Sequence, residues 1–280
     1  MTLARLEEIM GPLPAAARGV PRYTVDAEVL DGPLRRRHIT LDGEVPGWLL
    51  EGPNPERRPR PAMLCLHQTT KIGKDEPAGL GGNPQLHYGR ELALRGFVVL
   101  CPDYPNFGEY RYDPYAHGYE SATMKGIENH MRCVTLLTKL PGVDRRRIGA
   151  VGHSLGGHNA LFLAAFDNRV RTVVTSCGFT SFARYKGGDL RGWSHKGYMP
   201  KIAGRPPAEM PFEFRDVLAL IAPRRIFVNA PKGDDNFDVR GVDEAVAESK
   251  HPAIRVEHPE AGHSFPPEIR QMAYAWLTNP

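Results

Sequence analysis

From Ala62 onward the chain alternates between short apolar runs and longer stretches with helical spacing. Ala62–Leu66, Phe97–Cys101, Arg147–Val151, Val170–Ser176, Ile226–Asn229 and Ile254–His258 read as strands. Ala62–Leu66 is apolar at every position, as in a strand buried on both faces. Leu86–Arg95, Ser121–Leu140, Leu155–Phe166, Val242–Lys250 and Pro267–Leu277 read as helices, with Gly96 placed to end the first of them. Such alternation predicts an α/β fold, a mostly parallel central sheet flanked by helices. The start of the chain follows another pattern. Leu3, Leu6, Ile9 and Met10 predict a short amphipathic helix ending at Gly11-Pro12. Tyr23–Leu30, Arg35–Leu41 and Val45–Leu50 predict antiparallel edge strands, the first two joined by a turn at Asp31-Gly32-Pro33. Pro53–Pro61 reads as an exposed loop.

One stretch, Gly178–Phe212, breaks the alternation and mixes aromatic residues with Gly and Pro. A long irregular segment in a compact fold is usually functional or mobile. The expectation is one domain over 1–280, with 1–60 as an N-terminal helix and edge strands and 178–212 as a cap-like insertion near the site.

Composition narrows the classes. A length of 280 residues allows one large α/β domain or two smaller ones at roughly 150 residues each. Hydrophobic content of 41% with 24% charge is that of a globular chain. The net charge of +4 is spread in short groups such as Arg35-Arg36-Arg37 and Arg145-Arg146-Arg147. A nucleic-acid binder would gather them on one face, so no nucleic-acid partner is expected. No run approaches the ~20 apolar residues of a membrane span. Arg5, Glu7, Glu8 and Arg18 interrupt the N-terminus, which lacks a signal-peptide core, so a cytoplasmic location is expected. Cys65, Cys101, Cys133 and Cys177 sit in apolar runs and read as buried free thiols. No CxxC or HExxH spacing occurs, so no metal site, structural zinc or zincin, is expected.

The chemistry concentrates in Gly152-His153-Ser154-Leu155-Gly156-Gly157, a G-x-S-x-G between a predicted strand and a predicted helix. A nucleophilic serine on a sharp turn needs that context and those small neighbours. Its hydroxyl needs a base. His263, in the loop between the last predicted strand and helix, is better placed than His258 on the strand or His251 before a proline. The base needs a carboxylate to fix its tautomer. The loop after Ile226–Asn229 offers Asp234 first, then Asp235, then Asp238. An oxyanion requires donors. The Leu155 N–H is one, and Gln68, with Thr69 behind it, supplies the other from the loop after Leu66. His67 reads as a structural tie for that loop.

These residues resemble the α/β-hydrolase superfamily over about residues 60–278, in the order Ser154, Asp234, His263. Leu220-Ile221-Ala222-Pro223-Arg224, Asp234-Asp235-Asn236-Phe237 and Gly262-His263-Ser264-Phe265-Pro266 are similar to the dienelactone hydrolase and acetyl xylan esterase-like group. The resemblance implies ester hydrolysis through an acyl-serine, without a cofactor, and supports Asp234 as the acid. Two departures stand out: His67-Gln68 replaces the usual His-Gly, and Ser154 replaces the cysteine of dienelactone hydrolases proper.

Ligands of open parallel sheets bind beyond the strands' carboxyl ends. Tyr104 and Phe107 are therefore candidate pocket residues, with Glu109 or Arg111 to orient a polar substrate. Trp193 and Tyr198 are placed on the roof. The expected partner is a small-molecule ester, of a carbohydrate or an aryl alcohol. A serine peptidase of the dipeptidyl peptidase type shares the elbow and residue order but needs carboxylates for a substrate amine. A non-catalytic ligand-binding protein on the same fold is the third reading. The oligomeric state is not legible.

Overall fold

The computed structural model describes residues 2–278. Its centre is a nine-stranded sheet in the order β1-β2-β3-β5-β4-β6-β7-β8-β9. The strands are β1 (Tyr23–Asp31), β2 (Leu34–Leu41), β3 (Val45–Glu51), β4 (Arg60–Leu66), β5 (Val98–Pro102), β6 (Val143–His153), β7 (Thr172–Ser176), β8 (Arg225–Asn229) and β9 (Ile254–Glu257). β1 to β3 pair antiparallel with one another, and β3 pairs antiparallel with β5. The remaining pairs are parallel. The helices are α1 (Leu3–Met10), α2 (Tyr88–Leu94), α3 (Ala122–Lys139), α4 (Leu155–Phe166), α5 (Phe214–Ile221), α6 (Val239–Ser249) and α7 (Pro267–Thr278).

The strand alternation divides the core. Ala62, Leu64 and Leu66 of β4 join Ile148 and Ala150 of β6 under α1, α3, α4, α5 and α6. Met63 and Cys65, one residue out of phase, join Val99, Val151 and Phe227 under α2 and α7. A strand whose successive side chains enter two apolar layers must be apolar throughout, which is the pattern the sequence carries.

Several element boundaries differ from expectation, three of them informatively. The helix expected over Leu86–Arg95 is shorter, because Pro84–Leu86 forms a separate 3-10 turn before α2. β6 begins at Val143, four residues early. Its charged first turnings are exposed and carry no apolar signal, yet Val143 pairs with Arg60. The pattern does not announce α5, which is only eight residues long. Its start is nevertheless encoded: Glu213 and Asp216 form a reciprocal capping box. β1 is exposed along almost its whole length, at the sheet's outer edge. By contrast α1 is docked, with Leu6, Ile9 and Met10 fully buried and Ser121 Oγ donating to the Met10 carbonyl at 2.6 Å. Among the described residues no helix is long and apolar enough to cross a membrane.

Candidate active site

Ser154 sits between β6 and α4 with φ +54° and ψ −117°. That left-handed backbone is costly for a residue with a Cβ and persists only where the surroundings impose it. Two glycines show how they do. A Cβ on Gly152 would lie 2.2 Å from the backbone of Gly156, and one on Gly156 would lie 2.0 Å from the Leu66 carbonyl oxygen. The turn closes so tightly that strand and helix touch main chain to main chain, and the start of α4 is pressed on the end of β4. This contact sets the separation between the Leu155 N–H and the loop that begins at His67. Among the described residues, no acceptor engages the backbone N–H of Leu155, Gln68 or Thr69.

The loops after β8 and β9 bring Asp234 and His263 together. His263 Nδ1 lies 3.0 Å from each carboxylate oxygen of Asp234. Asp234 also accepts from the backbone N–H of Asn236 at 2.9 Å and of Phe237 at 3.1 Å. Burial opposes ionisation of this carboxyl, but the His263 hydrogen bond and charge and the two N–H groups prevail and hold it below its usual range. The structure places the other two acids away from His263. Asp235 is exposed, and Asp238 caps α6 and pairs with Arg240. His258 binds the Ala230 carbonyl and Asp243, and His251 accepts from the N–H of Ala253.

Ser154, Leu155, Gln68, Thr69 and His263 line one cavity of about 350 Å³. Its wall continues through His158, Tyr185, Trp193, His195, Tyr198 and Phe237. Asp234 lies behind His263, on the rim of a neighbouring groove. No Asp, Glu, Lys or Arg is among the described residues lining the Ser154 cavity.

Of the four substrate-side candidates, two belong to this wall and two do not. Trp193 lines the cavity, yet it is 2% exposed and packs among His158, Tyr185, Phe214 and Phe237. Tyr198 lines it too, and its Oη is hydrogen-bonded to Thr69 Oγ1. Tyr104 is a correction: its ring is buried beneath the wall, and its hydroxyl reaches the Gly197 carbonyl at 3.1 Å. Phe107 is another: it packs on His67 and Tyr104, outside the cavity lining. Glu109 and Arg111 are likewise turned to structure. Glu109 pairs with buried Lys74 and with His38, and Arg111 donates to the Gly108 carbonyl.

His67 ties its loop as expected. Its Nδ1 donates to the Gln68 carbonyl at 2.6 Å, and its Nε2 accepts from the Tyr104 N–H at 3.0 Å. Burial pushes this imidazole down to about 4, so it stays neutral in that role.

A support under the site escapes sequence reading. His153 packs on His263 with ring centroids 4.8 Å apart, and its Nδ1 lies 2.9 Å from Ser176 Oγ. Asn229 Nδ2 donates to Ser176 Oγ at 2.8 Å and to the Ser264 carbonyl, beside His263, at 2.9 Å. The only signal was that these residues end three adjacent strands, β6, β7 and β8. Ligating atoms of His153, Cys177 and His263 lie within 4.8 Å of one another. They are already engaged: by Ser176, by the Ser264 carbonyl and by Asp234. Burial also pushes the Cys177 thiol up, away from the thiolate a metal would need.

A family model described as alpha/beta hydrolase family matches residues 77–273. The chain is 29% identical over 219 residues to 2,6-dihydropseudooxynicotine hydrolase of Paenarthrobacter nicotinovorans, which covers 74% of this chain and 53% of that protein. The chain thus spans about half the length of that relative. Among solved structures, a glucuronoyl esterase from Solibacter usitatus superposes with a TM-score of 0.74 at 18% identity, covering 98% of this chain and 90% of the other. Acetyl xylan esterase 1 from Thermoanaerobacterium sp. gives 0.68 at 14% identity, covering 99% and 98%. At such identities the structural likeness speaks for the fold alone. The matched span of the family model holds the elbow, the acid loop and the histidine loop, and the chain belongs to the alpha/beta hydrolase family.

Proposed function

We propose that the protein is a serine hydrolase of carboxylic esters. Ser154 attacks the ester carbonyl, and His263 takes its proton as general base. Asp234 holds the imidazole in the Nδ1–H tautomer and stabilises its positive charge. The N–H groups of Leu155 and Gln68 receive the oxyanion, aided by the positive end of α4. His263 then returns the proton to the leaving alcohol, and water releases the acid by the same steps in reverse.

The observation that carries this reading is the convergence of a strained serine turn and a carboxylate-oriented histidine on one cavity. The neutral, aromatic lining favours an uncharged ester, of a carbohydrate or an aryl alcohol, over a peptide that needs a carboxylate for its amine. One domain carries the site, with 178–212 as its cap. Four unpaired, buried cysteines suit a reducing compartment, in keeping with the cytoplasm.

The test is hydrolysis of p-nitrophenyl acetate by wild type and Ser154→Ala, with fluorophosphonate labelling beside it. Turnover and labelling in the wild type, both lost in the variant, are the expected result. Undiminished turnover in Ser154→Ala sinks the assignment.

A further inference from the structure

The cap-like segment and the loop after β4 meet at a pair of hydroxyls. Tyr198 Oη and Thr69 Oγ1 are hydrogen-bonded to each other, and both residues line the cavity with Ser154 and His263. Two hydroxyls carry two protons and about four lone pairs, and their mutual bond uses one of each. One O–H and several lone pairs stay unspent at the wall. Burial keeps the Tyr198 phenol up, so it is present as a hydroxyl.

Several other polar atoms of the wall are committed or sealed, although the Tyr185 hydroxyl and the Asn236 amide also border the cavity. The Gln68 amide donates to Glu76 at 2.9 Å, and His195 Nδ1 accepts from the Gly197 N–H at 3.1 Å. The indole nitrogen of Trp193 and both ring nitrogens of His158 are buried away from the cavity surface and have no hydrogen-bond partner. The Gly178 carbonyl faces the His158 ring, but no contact there meets hydrogen-bond geometry.

Thr69 directly follows Gln68, whose N–H is assigned to the oxyanion, so the hydroxyl pair stands one residue from the reacting carbonyl. A neutral hydroxyl both donates and accepts, which matches what the pair has left. A methyl group in its place would strand the free O–H.

Resting on the esterase reading, we propose that the Thr69–Tyr198 pair is a specificity-determining contact. It receives an uncharged hydroxyl carried by the substrate close to its scissile ester.

The architecture makes this testable. Tyr115 Oη donates to the Lys196 carbonyl at 2.6 Å, Tyr104 Oη to that of Gly197, and the Thr123 N–H to that of Tyr198 at 3.2 Å. These bonds hold the backbone of 196–198 without the Tyr198 hydroxyl, so Tyr198→Phe removes that hydroxyl and leaves the strap in place.

The experiment compares 2-hydroxyethyl acetate with propyl acetate, near-isosteres that differ by hydroxyl against methyl. The wild type is expected to favour the hydroxylated ester by about tenfold in kcat/KM. Tyr198→Phe and Thr69→Val are each expected to bring that ratio near unity. A wild-type ratio near one, or a ratio unmoved in both variants while both esters slow equally, overturns the proposal and leaves the pair a structural tie. Should Tyr198→Phe fail to fold, Thr69→Val on its exposed loop decides alone. Absence of turnover of either ester by the wild type, with no fluorophosphonate label on Ser154, is a different failure. It removes the esterase reading and this proposal with it.

Discussion

The strand–turn–helix of residues 143–166 and the segment 178–212 border the same cavity but are held by different forces. Around Ser154 the geometry is set by main chain against main chain, with no room for even a Cβ on Gly152 or Gly156. In 178–212 there is no sheet and no long helix, only four 3-10 turns. Its shape comes from an aromatic cluster, in which Phe182, Tyr185 and Trp193 pack on one another and on Phe214 and Phe237. The first region fixes where Ser154 stands. The second fixes what surrounds it. Backbone contacts tolerate almost no substitution, whereas aromatic packing tolerates exchange at some cost in stability. On the proposed reading, chemistry and specificity would be carried by parts of the chain that respond to mutation in different ways.

The largest effect should come from the rigid region. Ser154→Ala is expected to lower kcat by about 10⁴-fold or more while the fold persists. Ser154→Gly should be equally inactive but more stable than Ser154→Ala by about 1 kcal/mol in urea unfolding. Glycine adopts φ +54° without the steric cost that alanine bears. Equal stabilities for the two variants would mean that the elbow is not strained.

An intermediate effect belongs to the segment 178–212. Trp193→Ala empties a site that is 2% exposed and should cost about 3–5 kcal/mol of stability. Fluorophosphonate should still label the folded variant at Ser154, because the elbow owes its shape to β4, β6 and α4. If labelling disappears while circular dichroism shows native structure, the two regions are not separable and the comparison fails.

The same division explains what the sequence made legible. Runs such as Ala62–Leu66 and Phe97–Cys101 announce strands because both faces are buried, and the elbow's glycines announce a contact only glycine allows. The pairing of Asp234 with His263 was legible because each sits in a loop that leaves a strand at the same end of the sheet. Tyr104 and Phe107 were misplaced for a physical reason. A loop leaving a strand at the correct sheet end can turn its aromatics into the body as readily as into a cavity, and no local signal separates the two. The long-range ties of the 195–198 strap are of that kind. They join Tyr198 to Thr69 and Tyr104 to Gly197, across 129 and 93 positions, so spacing carries no trace of them. The support formed by His153, Ser176 and Asn229 is hidden similarly, each residue being unremarkable within its own strand.

The smallest effect per residue is also the one that reaches both regions, through buried histidines. Burial pushes His67 down to about 4, and His130, His153 and His158 down to about 3. His153 is lowered further by His263 beside it. All four are neutral in the folded protein at pH values where the unfolded chain, near 6.5, takes up protons. Their folded affinities lie below the unfolded one, so the stability they confer is complete above about pH 6.5 and drains away as pH falls towards 4. Each should contribute a slope of up to about 1.4 kcal/mol per pH unit in that window. Together they give a steep acid transition. His158 is the informative one, because it sits on α4 one turn from Ser154 and packs on Trp193 of the cap, with ring centroids 4.6 Å apart. His158→Phe keeps an aromatic ring at the contact and removes one titrating group. Urea unfolding of this variant between pH 7 and 4.5 should show a shallower loss of stability than the wild type, by about one histidine's share of the slope. Parallel curves would show that His158 is not held neutral by the cap, and that the two regions meet there more loosely than their packing indicates.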